Sequence, residues 1–191
     1  MSRVLVEQKS VSYHKYTKIY RTLITFLYLC PMKVAFTGHR NYSGDKDNYL
    51  REAVVALYEA GHTTFLCGMA EGFDIAAAEI VLSLKGELKE IKLECVIPFR
   101  GHNLTMPSAE WAERYRRVLE AADSAVTLSE SYNVDIYRQR NDYLVDNAVA
   151  LICYYSGKVR SGTGYTVRRA LKKGIQTINL YADGYQIQFF G

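Results

Sequence analysis

The chain is poor in the residues that build special scaffolds, with 3 prolines, 1 tryptophan and 4 cysteines among 191 residues. So little proline beside 49% hydrophobic and 23% charged residues excludes a disordered, collagenous or low-complexity chain. The cysteines have neither the spacing of a zinc site nor that of a disulfide framework. Cys67, Cys95 and Cys153 sit in the apolar runs TTFLC, KLECVIP and AVALICYY, and Cys30 stands alone. They are expected to be reduced core residues, which implies a reducing compartment and a cytoplasmic protein. A long hydrophobic run is also missing. Leu23 to Cys30 is apolar after Lys15, Lys18 and Arg21, but eight residues are too few to span a bilayer and no small-residue cleavage site follows. No membrane partner is expected.

An excess of one charge is lacking too, once the chain is divided at Met32. Residues 1–31 carry five Lys or Arg and one Glu, which is the whole formal charge of +4, and residues 32–191 carry 19 of each sign. The neutral body gives no bulk electrostatic support to a nucleic-acid partner, although a local basic patch is compatible with it. Residues 1–31 are expected to be an extension upstream of the natural domain, with an ordered extra element or a targeting segment as the alternatives. Residues 32–191 are expected to form one domain, long enough to bury roughly two-thirds of its unfolded surface.

Within that body, short apolar runs alternate with segments of helical period, the pattern of a Rossmann-like open, mostly parallel α/β sheet with helices on both faces. Strands are expected at Val34 to Thr37, Thr63 to Cys67, Leu93 to Ile97, Ala125 to Leu128, Val149 to Tyr154 and Gln176 to Tyr181. Helices are expected at Lys46 to Ala60, Asp74 to Lys85, Ser108 to Ala121, Ile136 to Asp146 and Tyr165 to Lys173. The amphipathic tail Gly184 to Phe190 is a candidate edge strand. Strand order does not follow from pattern.

Ligands of such sheets bind beyond the carboxyl ends of the strands, so the residues just after each strand carry the functional information. After the first strand, Thr37-Gly38-His39-Arg40 offers a close backbone approach, a hydroxyl, an imidazole and a guanidinium fork for phosphate, or else a tight turn with a surface arginine. After the second, Gly68 and Gly72 leave amides at the start of a helix, a setting for an anion. Asp74 is a helix cap or a ligand contact, and Glu71 is the better candidate to receive ribose hydroxyls or act as a base. Glu79, at i+5 from Asp74, does not share its helical face.

The third strand is followed by Arg100 and His102, a second arginine and imidazole at the same sheet edge. Trp111 shares a face with Tyr115 and is read as core packing over base stacking. Arg138, Arg140 and Asn141 either clasp a ligand or form a solvated helix face. After the fifth strand, the segment Ser156 to Gly164, which ends in Ser161-Gly162-Thr163-Gly164, is the most persuasive anion-binding sequence. It lacks the Lys-Ser or Lys-Thr ending of a P-loop, and no acidic loop with metal-site spacing accompanies it, so ATP hydrolysis and a resident metal are not expected.

TGHR at the first strand, GMAEGFDIAAAE at the second and SGTGYTVRRA near the end together resemble the YpsA-like DUF1273 group of the SLOG superfamily, over about Met32 to Tyr181. The resemblance implies a Rossmann-like fold that takes a nucleotide or related ligand. Relatives in that superfamily include DNA-processing protein A, which binds single-stranded DNA, and the LOG phosphoribohydrolases, which release cytokinin bases from nucleotides. The phosphoribohydrolase loop Gly-Gly-x-Gly-Thr-x-x-Glu overlays Ser161 to Arg168, with Arg168 in place of the glutamate and Tyr165 in place of threonine. That substitution preserves phosphate binding better than hydrolysis.

The expected function is therefore binding of a nucleotide or ADP-ribose-like small molecule. Gly162, Thr163 and Gly164 would hold phosphate, while Gly38, Arg40, Glu71 and Gly72 close around ribose or a second phosphate. N-glycosidic hydrolysis with Glu71 as the carboxylate and His39 or Arg100 as assistants is one alternative. Single-stranded nucleic-acid binding along Arg114, Arg116, Arg117, Arg138 and Arg140 is the other. No resident cofactor follows from the motifs, and a homo-oligomer is expected.

Overall fold

The structure, a computed structural model, describes residues 32–181 in full and the backbone of residues 186–188. The expectations for residues 1–31, Cys30 included, and for the rest of the carboxyl-terminal tail lie outside the described residues.

The six expected strands all form, as β1 (Lys33–Gly38), β2 (Thr64–Cys67), β3 (Lys92–Ile97), β4 (Ser124–Thr127), β5 (Ala150–Tyr154) and β6 (Gln176–Asn179). They are parallel throughout, and β7 (Gln186–Gln188) joins antiparallel to β6, so the tail contributes an edge strand over those three residues. The five expected helices also form, as α1 (Asp47–Glu59), α2 (Phe73–Leu84), α3 (Ala109–Ala121), α4 (Ile136–Asp146) and α5 (Gly162–Lys172). A short 3-10 turn at His102–Thr105 interrupts what the pattern presents as a plain loop. Helix α5 begins three residues before the expected Tyr165, because the Ser161 hydroxyl accepts from the Gly164 amide and draws the glycine run into the first turn.

Strand alternation divides the sheet into two apolar faces. Val34, Phe36, Phe65, Leu93 and Ile152 meet Leu50, Val54, Phe73, Val81 and Tyr115 from α1, α2 and α3. Ala35, Leu66, Val96 and Leu151 face Leu144, Val145, Val167 and Ala170 from α4 and α5. Burial on both faces explains why the central strands read as unbroken apolar runs.

The order is β4-β3-β2-β1-β5-β6-β7. From β1 the chain builds outward through β2 and β3 to β4, then returns to place β5 on the other flank of β1. The loops after β1 and β5 consequently run in opposite directions and leave a crevice between them, the topological switch point of a doubly wound sheet.

Candidate functional site

A cleft of about 660 Å³ opens at that switch point. Two cross-links bind its walls. The Thr163 hydroxyl donates to the Gly38 carbonyl at 2.8 Å, and His39 Nε2 accepts from the Ser156 amide at 2.9 Å and lies 2.8 Å from its hydroxyl. An imidazole nitrogen that accepts from an amide is unprotonated, so the His39 proton sits on Nδ1 and the ring is neutral. Burial, reinforced by the Lys158 ammonium, holds its pKa below the ordinary histidine value. His39 thus joins the β1 and β5 loops through Nε2 while lining the cleft.

The first turn of α5 forms one end of the cleft. Ser161 takes up the Gly164 amide, which leaves the Gly162 and Thr163 amides with no acceptor among the described residues. Lys158 lines the same space, and Arg40 stands at the rim with 69% of its side chain exposed. Tyr154 and Tyr181 add an aromatic wall, their ring centroids 5.0 Å apart. Two free amides at a helix start, flexible cations and the exposed Tyr181 ring suit an anion carrying a planar group.

Beneath lies a buried polar lattice. Arg140 donates to the Gly68 carbonyl and, through Nε, to Asn141 Oδ1 at 2.9 Å, and it lies 3.5 Å from Asp74 Oδ2. Asn141 Nδ2 reaches the Gly162 carbonyl at 3.5 Å, tying the lattice to the start of α5. Asp74 is 4% exposed, and burial pushes its pKa up to about 6 against the opposing pull of Arg140 and of backbone hydrogen bonds from Ala70 and Gly38.

Of the residues singled out from sequence, Thr37, Gly38, His39, Arg40, Asp74, Ser161, Gly162 and Thr163 line the cleft together. Others are placed elsewhere. Arg100 forms a bidentate pair with Glu130 at 2.7 and 3.1 Å on the open surface and lines neither the cleft nor the pocket beside it. Glu71, 3.4 Å from Arg40, lines a smaller adjoining pocket instead.

In the turn after β2 three amides are already engaged. The Met69 amide is bonded to Cys67 Sγ, Ala70 bonds Asp74, and the Phe73 amide meets the His39 carbonyl. Its glycines answer packing needs. A Cβ on Gly68 would fall 2.4 Å from Arg140 Nη1; Gly72 combines a φ of 83° with a backbone oxygen of Arg40 at 2.3 Å from its missing Cβ. Gly72 also occupies the cap position of α2, so Asp74 is not the cap. Gly164 likewise faces the carbonyls of Lys158 and Val159 rather than the cleft.

Arg140 and Asn141 do not form a solvated helix face: they are buried and line the cleft. Ser156 and Lys158, inside the segment Ser156 to Gly164, line the cleft as well; sequence reasoning missed Tyr137, Tyr154 and Tyr181, yet Tyr154 ends β5 and Tyr181 closely follows β6, the positions where a sheet of this kind exposes contacts. Trp111 packs partly buried against the core under the Arg114 guanidinium, 4.2 Å from its ring centroid. Cys67, Cys95 and Cys153 are free and buried. Among the described residues no three His, Cys, Asp or Glu side chains cluster as metal ligands, and no helix is long and apolar enough to cross a membrane.

The fold and cleft define a Rossmann-like α/β protein with a polar crevice at the sheet's switch point. The sequence model of the YspA SLOG family matches residues 46–185, and the chain belongs to that family. A UPF0398 protein of Bacillus licheniformis is 26% identical over 125 residues, covering 64% of this chain and 68% of the relative. A UPF0398 protein of Halalkalibacterium halodurans is 28% identical over 142 residues, covering 71% and 72%.

Among solved structures, DNA processing protein A from Helicobacter pylori, described as binding single-stranded DNA, superposes with a TM-score of 0.58 at 18% identity over 81% of this chain and 67% of that one. The Streptococcus pneumoniae protein of the same name gives 0.56 at 23% identity over 77% of this chain, which spans about half of it at 49%. Both likenesses concern the fold.

Proposed function

We propose that the chain binds a nucleotide or ADP-ribose-like molecule in the cleft between the β1 and β5 loops, with a phosphate on the Gly162 and Thr163 amides. The observation that carries this reading is that these two amides, at the start of an eleven-residue helix, lack acceptors among the described residues while Lys158 and Arg40 line the same space. Tyr154 and Tyr181 supply faces on which a base can stack.

Binding is favoured over N-glycosidic hydrolysis. Arg168 stands in the place of the phosphoribohydrolase glutamate and donates to the Val159 carbonyl, so that position supplies no carboxylate. A second reading, single-stranded nucleic-acid binding, is favoured by the fold shared with the H. pylori protein. The arginines expected to form its track oppose it, being either paired with carboxylates or buried.

The test is thermal unfolding of the full chain with ribonucleotides, NAD derivatives and a single-stranded oligonucleotide across a range of salt. Saturable stabilisation by a nucleotide supports the first reading. Oligonucleotide binding that weakens steeply with salt, without nucleotide stabilisation, replaces it with the second. Product release that is lost in Glu71→Gln while affinity is kept would establish hydrolysis.

A further inference from the structure

We infer that the small pocket beside the cleft is a subsite for the ribose diol of the bound nucleotide, read by Glu71 and His102. The inference rests on the nucleotide reading and names the part of the ligand that decides specificity. The pocket measures about 60 Å³ and shares Arg40, Tyr137 and Arg140 with the cleft, so one ligand can occupy both.

His102 is the independent observation. It lines this pocket, only 4% of it is exposed, and its Nδ1 is buried with no hydrogen-bond partner among the described residues. Native folds rarely leave such a nitrogen unmatched without a role for it. The neighbouring Thr105 hydroxyl is committed to the His102 carbonyl at 2.7 Å and does not serve the ring.

Charge and size narrow the guest. A second anion would face the Glu71 carboxylate, and a cation would face Arg40 and Arg140. A neutral group is left. Burial, with Arg140 and Arg40 reinforcing it, lowers the His102 pKa to about 4, so at neutral pH the ring has one nitrogen that accepts and one that donates. Glu71 accepts only. A hydroxyl, which donates and accepts, satisfies both residues. At about 60 Å³ against about 660 Å³ for the cleft, the pocket suits a compact group such as a vicinal diol and leaves the base to the cleft.

The experiment titrates the full chain calorimetrically with AMP, GMP, CMP and UMP, with their 2′-deoxy counterparts and with inorganic phosphate. For the nucleotide that binds best, the ribo form is expected to bind about tenfold or more tightly than the deoxy form. Glu71→Ala and His102→Leu should each bring the two forms to near equality without weakening phosphate binding. Removing an unmatched polar atom should also leave the ligand-free Tm of His102→Leu at or above that of the parent chain, so a folding failure does not mimic the result. Equal binding of ribo and deoxy forms by the parent chain, or a preference that survives both substitutions, overturns the diol subsite and leaves the nucleotide cleft standing. If neither nucleotides nor phosphate bind, both readings fall.

Discussion

The switch-point cleft and the outer surfaces of α3 and α4 are both rich in polar side chains, but they resolve their charges in opposite ways. On the outer surface every arginine named for a nucleic-acid track finds a carboxylate. Arg114 grips Glu79 at 2.6 and 2.9 Å, Arg116 holds Glu113 and Glu120, Arg117 lies 3.9 Å from Glu113, and Arg138 meets Asp135. In the cleft, two helix amides, the Lys158 ammonium and the nearby His102 nitrogen are left unmatched among the described residues. The difference teaches that counting basic residues does not locate an anion site.

The contrast can be broken most severely at Arg140, the one arginine of the expected track that is buried. Arg140→Met removes the partner of Asp74, of Asn141 and of the Gly68 carbonyl, and should cost about 3–5 kcal/mol in denaturant unfolding at neutral pH. The loss should shrink near pH 5, where Asp74 can take a proton.

Next in size is the pH dependence. Asp74 titrates at about 6 in the fold, above its unfolded value, so its contribution to stability is fully present below about pH 4 and is lost as pH rises through 6. His102 titrates at about 4, below its unfolded value, so its contribution is present above about pH 6.5 and is lost as pH falls through 4. The two slopes oppose each other. Asp74→Asn should therefore steepen the acid-side loss of stability, and His102→Leu should flatten or reverse it, each by on the order of 2 kcal/mol across pH 4–6.5. Urea midpoints measured at half-unit steps check both signs.

A smaller effect is expected at the cross-link. Thr163→Val removes the hydroxyl that ties α5 to the Gly38 carbonyl and should cost about 1 kcal/mol while weakening nucleotide-induced stabilisation. Smallest of all, Arg116→Ala and Arg100→Ala should leave the Tm and any nucleotide-induced shift unchanged, because both ion pairs are in open solvent. A weakened nucleotide shift in either would mean that the outer surface takes part in binding.

Much of the fold was legible from residue pattern, since strands buried on both faces read as apolar runs and helices as amphipathic periods. The glycines were harder. Gly162 does lie in the cleft, whereas Gly68, Gly72 and Gly164 make room for the protein's own atoms. A missing Cβ serves a ligand and a neighbouring chain segment equally, so the letter alone does not separate the two. Arg100 and Arg140 posed the same difficulty: one found Glu130 on the surface and the other Gly68 and Asn141 in the interior, over separations of up to 72 residues.

The sequence by itself determined the layered α/β architecture, the sites where loops would follow strands, and the neutrality of residues 32–191, because periodicity, turn chemistry and charge are local or additive properties. Only the tertiary structure decided that β1 and β5 are neighbours, that Thr163 and His39 bridge their loops, and which donors are left for a ligand. Those facts depend on long-range contacts, and a hydrogen-bonding group is available for recognition only after every segment that might have satisfied it has taken its place.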